Sequence, residues 1–205
     1  MSSEKIDYAN QTGCYLTFAT VDCVDIFIRP VHKQIIVHSL NHFIEHKGLS
    51  VFSWCLMTNT LHLLTQVRDS FVLNELEKEF KCFTTKKILE AIDTESSVRR
   101  GWLLDRLKKP KHSWNRTVDY QVWQESKSPG LVDLNDTNTL VDIFETIHSL
   151  PVRDRIVDTD CEFLYSSARD YAGMQGLVEI TKLPIIDQLV TVDMTSSFFG
   201  KFVRY

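Results

Sequence analysis

The chain has no apolar run near the ~20 residues needed to span a bilayer, and its first residues, MSSEKIDYANQ, lack the apolar core of a signal peptide. Both absences point to a cytoplasmic protein with no membrane partner. Cysteine is scarce and shows no pairing pattern. Cys14, Cys23, Cys55, Cys82 and Cys161 are odd in number, scattered and without a C-x-x-C pair, which suggests neither a disulfide framework nor a zinc site. They read as reduced and mainly buried thiols. No internal repeat, Gly-rich phosphate loop, nucleophile elbow or EF-hand loop is present. Excess positive charge is also missing: the net charge of −4 argues against a protein that coats nucleic acid over its whole surface, while leaving room for a local basic patch.

What remains is ordinary globular material, 205 residues that are 43% hydrophobic and 24% charged, enough for one domain with a substantial core. Residues 13–21 (GCYLTFATV) are β-branched and aromatic and read as a first strand. Arg29-Pro30 opens a helix whose Val31, Ile35, Ile36, Leu40, Phe43 and Ile44 recur at helical spacing, with Gly48 as its stop. Its other side presents His38, His42 and His46 at i, i+4 steps. That spacing suits metal chelation, but no carboxylate or cysteine completes the set, so these and His32 read as exposed polar residues.

Residues 49–57 and 61–67 read as an antiparallel hairpin turning at Thr58-Asn59. Alternation places Thr60, His62, Leu64 and Gln66 on one face and Leu61, Leu63, Thr65 and Val67 on the other. Ser70 caps a helix over 71–92 with the stripe Val72, Leu76, Phe80 and Phe83. The order strand, helix, hairpin, helix is that of a ferredoxin-like α+β sandwich, an antiparallel sheet with helices packed mainly on one face. Further on, 120–125 reads as a fourth strand and Ser128-Pro129-Gly130 as a turn. A helix over 139–150 is capped by Asn138 and ended by Pro151, and short strands are expected at 177–180 and 188–194.

Between 98 and 116 the charge changes abruptly: Arg99, Arg100, Arg106, Lys108, Lys109, Lys111 and Arg116 stand against Asp105 alone. Trp102 and Trp114 interleave with them, and indoles stack on unpaired bases. The segment reads either as a solvated connection or as a nucleic-acid contact, and the concentration of charge in an acidic chain favours the contact.

Residues 57–64, MTNTLHLL, resemble the "MTNHVHLL" signature of the single-tyrosine HUH transposases, in particular the REP-associated tyrosine transposase branch. Residues 80–88 (FKCFTTKKI) are similar to that family's "FKKFTSKKI", 122–125 (VWQE) to "FWQQ", and 165–173 (YSSARDYAG) to the segment that ends the family domain. The resemblance runs in the family's order over about 13–180, leaving 181–205 as a C-terminal extension. It implies a ferredoxin-like domain, a homodimer, and single-stranded or hairpin DNA as partner, with Lys81, Lys86 and Lys87 among the DNA contacts. In active members two histidines hold Mg or Mn and a helix tyrosine attacks the phosphodiester to form a phosphotyrosine.

The resemblance makes His62 the surviving half of that histidine pair, with Thr60 at the other position. Residues 146–152 (TIHSLPV) match "YIHNNPV" and put Thr146 where the nucleophile stands. Leu150 and Ser128 depart too, at positions where the family places a polar metal neighbour and the histidine of its "HP" pair. With the metal pair and the nucleophile both altered, no cofactor and no strand cleavage are expected. The alternatives are a still-active single-strand endonuclease using His62 with another ligand, and a protein-interaction module.

Overall fold

Alternation along the strands builds the sheet, and burial on both of its faces sets the layers. The computed structural model describes residues 12–68, 73–109, 119–125 and 129–187. Strand β1 (Thr12–Ala19) leads through two short 3-10 turns into helix α1 (Pro30–His46), followed by the hairpin β2 (Leu49–Leu56) and β3 (Thr60–Val67). Helices α2 (Leu73–Ile92) and α3 (Ser97–Leu107), strand β4 (Gly130–Asp133), helix α4 (Thr137–Arg153) and the short α5 (Ala168–Tyr171) complete the chain. The sheet is antiparallel in the order β2-β3-β1-β4, the expected ferredoxin-like α+β sandwich.

On one face, Leu16, Phe18, Leu61 and Leu63 meet Ile36, Leu40 and Phe43 of α1 and Phe80 and Ile88 of α2, with Leu103 and Leu107 of α3 at the margin. The opposite face, with Phe52, Cys55, Leu64 and Val132, is covered by Leu140, Phe144 and Ile147 of α4 together with Phe163 and Tyr171. A bulge between Val51 and Ser53 lets β2 serve both clusters, turning Val51 and Trp54 to the first and Phe52 and Cys55 to the second. The described part of the expected extension also packs, since Leu183 and Ile186 are buried in the second cluster.

Pro30 stands at the first turn of α1, where a missing N–H costs nothing, and Gly48 follows that helix at φ 66, the left-handed conformation that suits glycine. Two neighbours depart from the expected exposure. His32 is fully buried: it lies one turn before Ile36 on the inward face, its Nδ1 2.8 Å from the Ile26 carbonyl and its Nε2 3.7 Å from Glu95. Phe83 is partly exposed and stacks on His42, which stacks in turn on His46. The cysteines are corrected as well. All five are free thiols, but Cys55 alone is buried, while Cys23 and Cys82 are exposed.

The second half of the chain departs further. The fourth strand is Gly130–Asp133 rather than 120–125, because β1 gives its first half to β4. Residues 120–125 cross only its far end, through bonds such as Val21 N to the Val122 carbonyl and Gln124 N to the Ala19 carbonyl. Helix α4 begins earlier than expected, because the Asp136 carboxylate accepts from the amides of Asn138 and Thr139 and so takes the capping role given to Asn138. It also runs through Pro151, whose absent N–H falls in the last turn, where the amides of Asp154, Arg155 and Ile156 satisfy the final carbonyls. No strand forms at 177–180; that segment is held by Asn41, which bonds the Leu177 carbonyl and the Glu179 amide. The Ser70 cap, Val72, Ser128 and the 188–194 run lie outside the described residues. No described helix is long and apolar enough to cross a membrane.

Candidate functional site

His62 projects from the centre of the sheet on the face that α4 covers. The strand register sets Thr17 of β1 on one side of it and Cys55 of β2 on the other. Tyr15, one pair further along the same face of β1, reaches back so that its Oη lies 2.9 Å from His62 Nδ1, with the two rings stacked at 6.2 Å. Thr17 Oγ1 is 3.3 Å from the same nitrogen. Burial pushes the His62 imidazole below its ordinary pKa, which favours the neutral ring.

Thr60, opposite Ala19 and half-buried, occupies the same strand face two residues before His62. The pair therefore offers one imidazole nitrogen and one neutral hydroxyl. Among the described residues no three of His, Cys, Asp and Glu converge to complete a metal shell, at this hairpin or along the His38, His42 and His46 row. A hard divalent cation such as Mg or Mn binds through carboxylates and other oxygens with charge to offer, so the residues present do not fit it.

Helix α4 turns Leu140, Phe144, Ile147, His148 and Pro151 inward and leaves Thr146 exposed. Leu150 is half-buried against the second cluster, an apolar side chain with no donor atom. The helix is anchored by a buried polar knot. His148 Nε2 lies 2.8 Å from Ser167 Oγ and 3.1 Å from Ser53 Oγ, while Ser167 Oγ accepts the Trp54 amide. Complete burial pushes the His148 imidazole down to about 3, so it remains neutral and serves as a strut. No hydrogen bond links Thr146 to His62.

The basic residues separate into two groups by their neighbours. Lys81, 18% exposed at its side chain, pairs with Glu77, donates to the Gln124 carbonyl and lies over the Phe18 ring. Lys87 pairs with Glu90 and Lys108 with Asp105. Arg99 sits 3.7 Å from Glu95, a carboxylate only 2% exposed that also meets Arg29 and His32. By contrast Lys86, Arg100, Arg106 and Lys109 are exposed and form no ion pair with a described residue.

The segment that carries Arg99 to Lys108 is largely helix α3 rather than a loose connection, since Leu103 and Leu107 are both buried and pin one side of it to the core. Its outward side carries Trp102, 47% exposed, and Arg106 one turn further on, while Arg100 is exposed nearer the packed side and donates to the Asp93 carbonyl at 3.5 Å. Lys111 and Trp114 lie outside the described residues. Two participants were not singled out in the sequence, Tyr15 and Thr17. Their alternation in β1 puts them on one face, but only the β1 to β3 register brings that face to His62.

No protein-family model matches the chain, and no curated protein matches it. Among solved structures, a REP-associated tyrosine transposase bound to a REP hairpin is similar, with a TM-score of 0.53, covering 89% of this chain and 93% of that one at 12% identity. At that identity the likeness is one of fold.

Proposed function

We propose that this protein is a transposase-like DNA-binding protein that takes single-stranded or hairpin DNA and does not cut it. The observation that carries the reading is the outward side of α3. Arg106 stands one helical turn from the exposed Trp102 indole, and it, Arg100 and Lys109 just beyond the helix form no ion pair with a described residue. Unpaired cations neutralise phosphates without first breaking an internal pair, and an exposed indole stacks on an unpaired base for about 1–3 kcal/mol. The fold likeness to a transposase whose structure holds a hairpin supports the same partner.

Loss of cleavage follows from the residues at the two reacting positions. Thr146 offers an aliphatic hydroxyl, a far weaker acid than a phenol and a poorer leaving group when the phosphodiester is re-formed. Thr60 offers no charge to a metal that would activate it. Removing either a nucleophile or its activation typically lowers rates by orders of magnitude. A homodimer belongs to the same reading. It is supported by the outer edge of β4, which pairs with no other described strand and carries Leu131 76% exposed.

The test is incubation of the full chain with labelled hairpin-bearing single-stranded DNA and manganese. Salt-sensitive binding without a denaturation-resistant adduct is the expected result. Absence of binding refutes the DNA reading. An adduct that disappears in Tyr15→Phe refutes the non-cleaving reading, since that phenol is already hydrogen-bonded to His62. The double substitution Thr60→His with Thr146→Tyr restores weak nicking if the scaffold still aligns the two positions.

A further inference from the structure

The hydrogen bonding of His62 says what an imbalanced metal pair can do instead. Its Nδ1 faces two hydroxyls, Tyr15 Oη at 2.9 Å and Thr17 Oγ1 at 3.3 Å. A phenol is a strong donor and a weak acceptor, whereas an unprotonated imidazole nitrogen is a strong acceptor, so the short contact runs from Tyr15 O–H to Nδ1. The ring proton then sits on Nε2. That nitrogen bonds to no described residue and is not among the buried orphaned polar atoms, so it is open to solvent.

A metal at Nε2 would require the opposite tautomer, with Nδ1–H donating to an acceptor. Metal-bound histidines are usually held that way by a carboxylate or a carbonyl, and here the partners are two neutral hydroxyls. Thr60, on the same strand face, adds a third neutral hydroxyl. The cluster is therefore rich in N–H and O–H donors and has no negative charge of its own, which matches an anionic oxygen rather than a cation.

We infer that Tyr15, Thr17 and His62 form a metal-independent contact for a phosphodiester oxygen of single-stranded DNA, in which His62 Nε2–H donates and Tyr15 positions the ring. The inference rests on the DNA-binding reading above and adds a second contact, on the sheet face, to the basic surface of α3.

The experiment measures anisotropy of a labelled hairpin-bearing single strand with the full chain, in EDTA and again in manganese. Wild-type affinity is the same in both. His62→Ala weakens binding about tenfold, the scale of one hydrogen bond to a charged oxygen, and His62→Gln, which keeps an N–H donor, recovers most of it. Near-UV circular dichroism establishes that each variant is folded. Long-range proton–nitrogen spectra of wild type show the Nε2–H tautomer at His62, and Tyr15→Phe shows a mixture of tautomers with about threefold weaker binding. Binding that requires manganese overturns the inference, as does His62→Ala binding like wild type while Arg100→Ala with Lys109→Ala is weakened. In the latter case the DNA reading stands alone; a wild-type protein that binds no DNA overturns both.

Discussion

Eight basic residues from Lys81 to Lys109 are candidate DNA contacts, five by local charge and three by the family resemblance, and the structure divides them into a form that salt titration can test. Arg100 and Lys109 have no ion pair among the described residues, whereas Lys87 and Lys108 are engaged with Glu90 and Asp105. A cation that must leave a carboxylate to meet a phosphate releases little net counterion, so the two double variants differ. For single strands the slope of log affinity against log salt is about −0.7 per phosphate neutralised. Arg100→Ala with Lys109→Ala removes two such contacts and flattens the slope by about 1.4. Between about 50 and 200 mM salt, wild-type binding then weakens by about sevenfold more than binding by this variant. Lys87→Ala with Lys108→Ala changes the slope by less than half as much. The assay is anisotropy at four or more salt concentrations. Equal slopes for the two double variants would refute the division by internal pairing, and a wild-type slope near zero would remove α3 as a phosphate surface.

Three further substitutions probe the fold around the site. Glu95→Gln strips the carboxylate shared by Arg29, His32 and Arg99 and costs about 2 kcal/mol, below the range for a fully buried pair because Arg29 is half exposed; an unchanged urea midpoint would show that the cluster is not a strut. The His148 imidazole is held down to about 3, whereas in the unfolded chain it takes its proton near 6.5. From about pH 6.5 to 3 the unfolded state thus binds more protons, and stability falls with falling pH by up to about 1.4 kcal/mol per pH unit from this group, with no contribution to the slope above 6.5. His148→Gln removes that contribution, so urea midpoints at neutral pH and near pH 4.5 that fall equally in both proteins would contradict it. Leu131→Lys puts a charge on the open edge of β4 and converts the proposed dimer to monomer in sedimentation velocity; a wild-type protein that sediments as a monomer at micromolar concentration removes the dimer.

Long periodic segments were legible in the sequence, and features set by register or by a few contacts were not. Helix α1 and the β2 to β3 hairpin follow directly from apolar spacing and from the Thr58-Asn59 turn. Helix α3 escaped because just two of its residues, Leu103 and Leu107, are buried, too few for a periodic signal against so many charges. Strand β4 is four residues long with Val132 as its buried member, while the more strand-like 120–125 crosses β1 only at its end. His32 had a signal that charge-based reading passes over: it lies four residues before Ile36 and eight before Leu40, on the buried stripe. Nothing local marks Tyr15 as the partner of His62, since that contact depends on pairing across 47 residues.

The segments that carry the family resemblance are held by contacts to one another, which explains why they speak for fold more than for chemistry. Trp123 Nε1 donates to Thr84 Oγ1 at 2.8 Å and Lys81 donates to the Gln124 carbonyl, joining the FKCFTTKKI helix to VWQE. Gln124 in turn donates to the Thr20 carbonyl at the end of β1. In the SSARDYAG segment, Ser167 accepts the Trp54 amide and Tyr171 Oη donates to the Phe52 carbonyl, closing the outer edge of β2. Thr84, Trp123, Ser167 and Tyr171 among these are buried, so replacing one of them leaves an unpaired group or a cavity worth about 1–5 kcal/mol. Thr146 is exposed and Thr60 half-exposed, and neither fills the core. Substitution there costs the fold little. The chain can therefore exchange the residues at 60 and 146 at almost no expense in stability while its packing motifs stay in place, and an intact scaffold says nothing of the chemistry at those positions. The Thr60→His with Thr146→Tyr protein carries the corollary: it melts within about 1 kcal/mol of wild type whether or not nicking is seen, and a larger loss would mean that the hairpin packs specifically around Thr60.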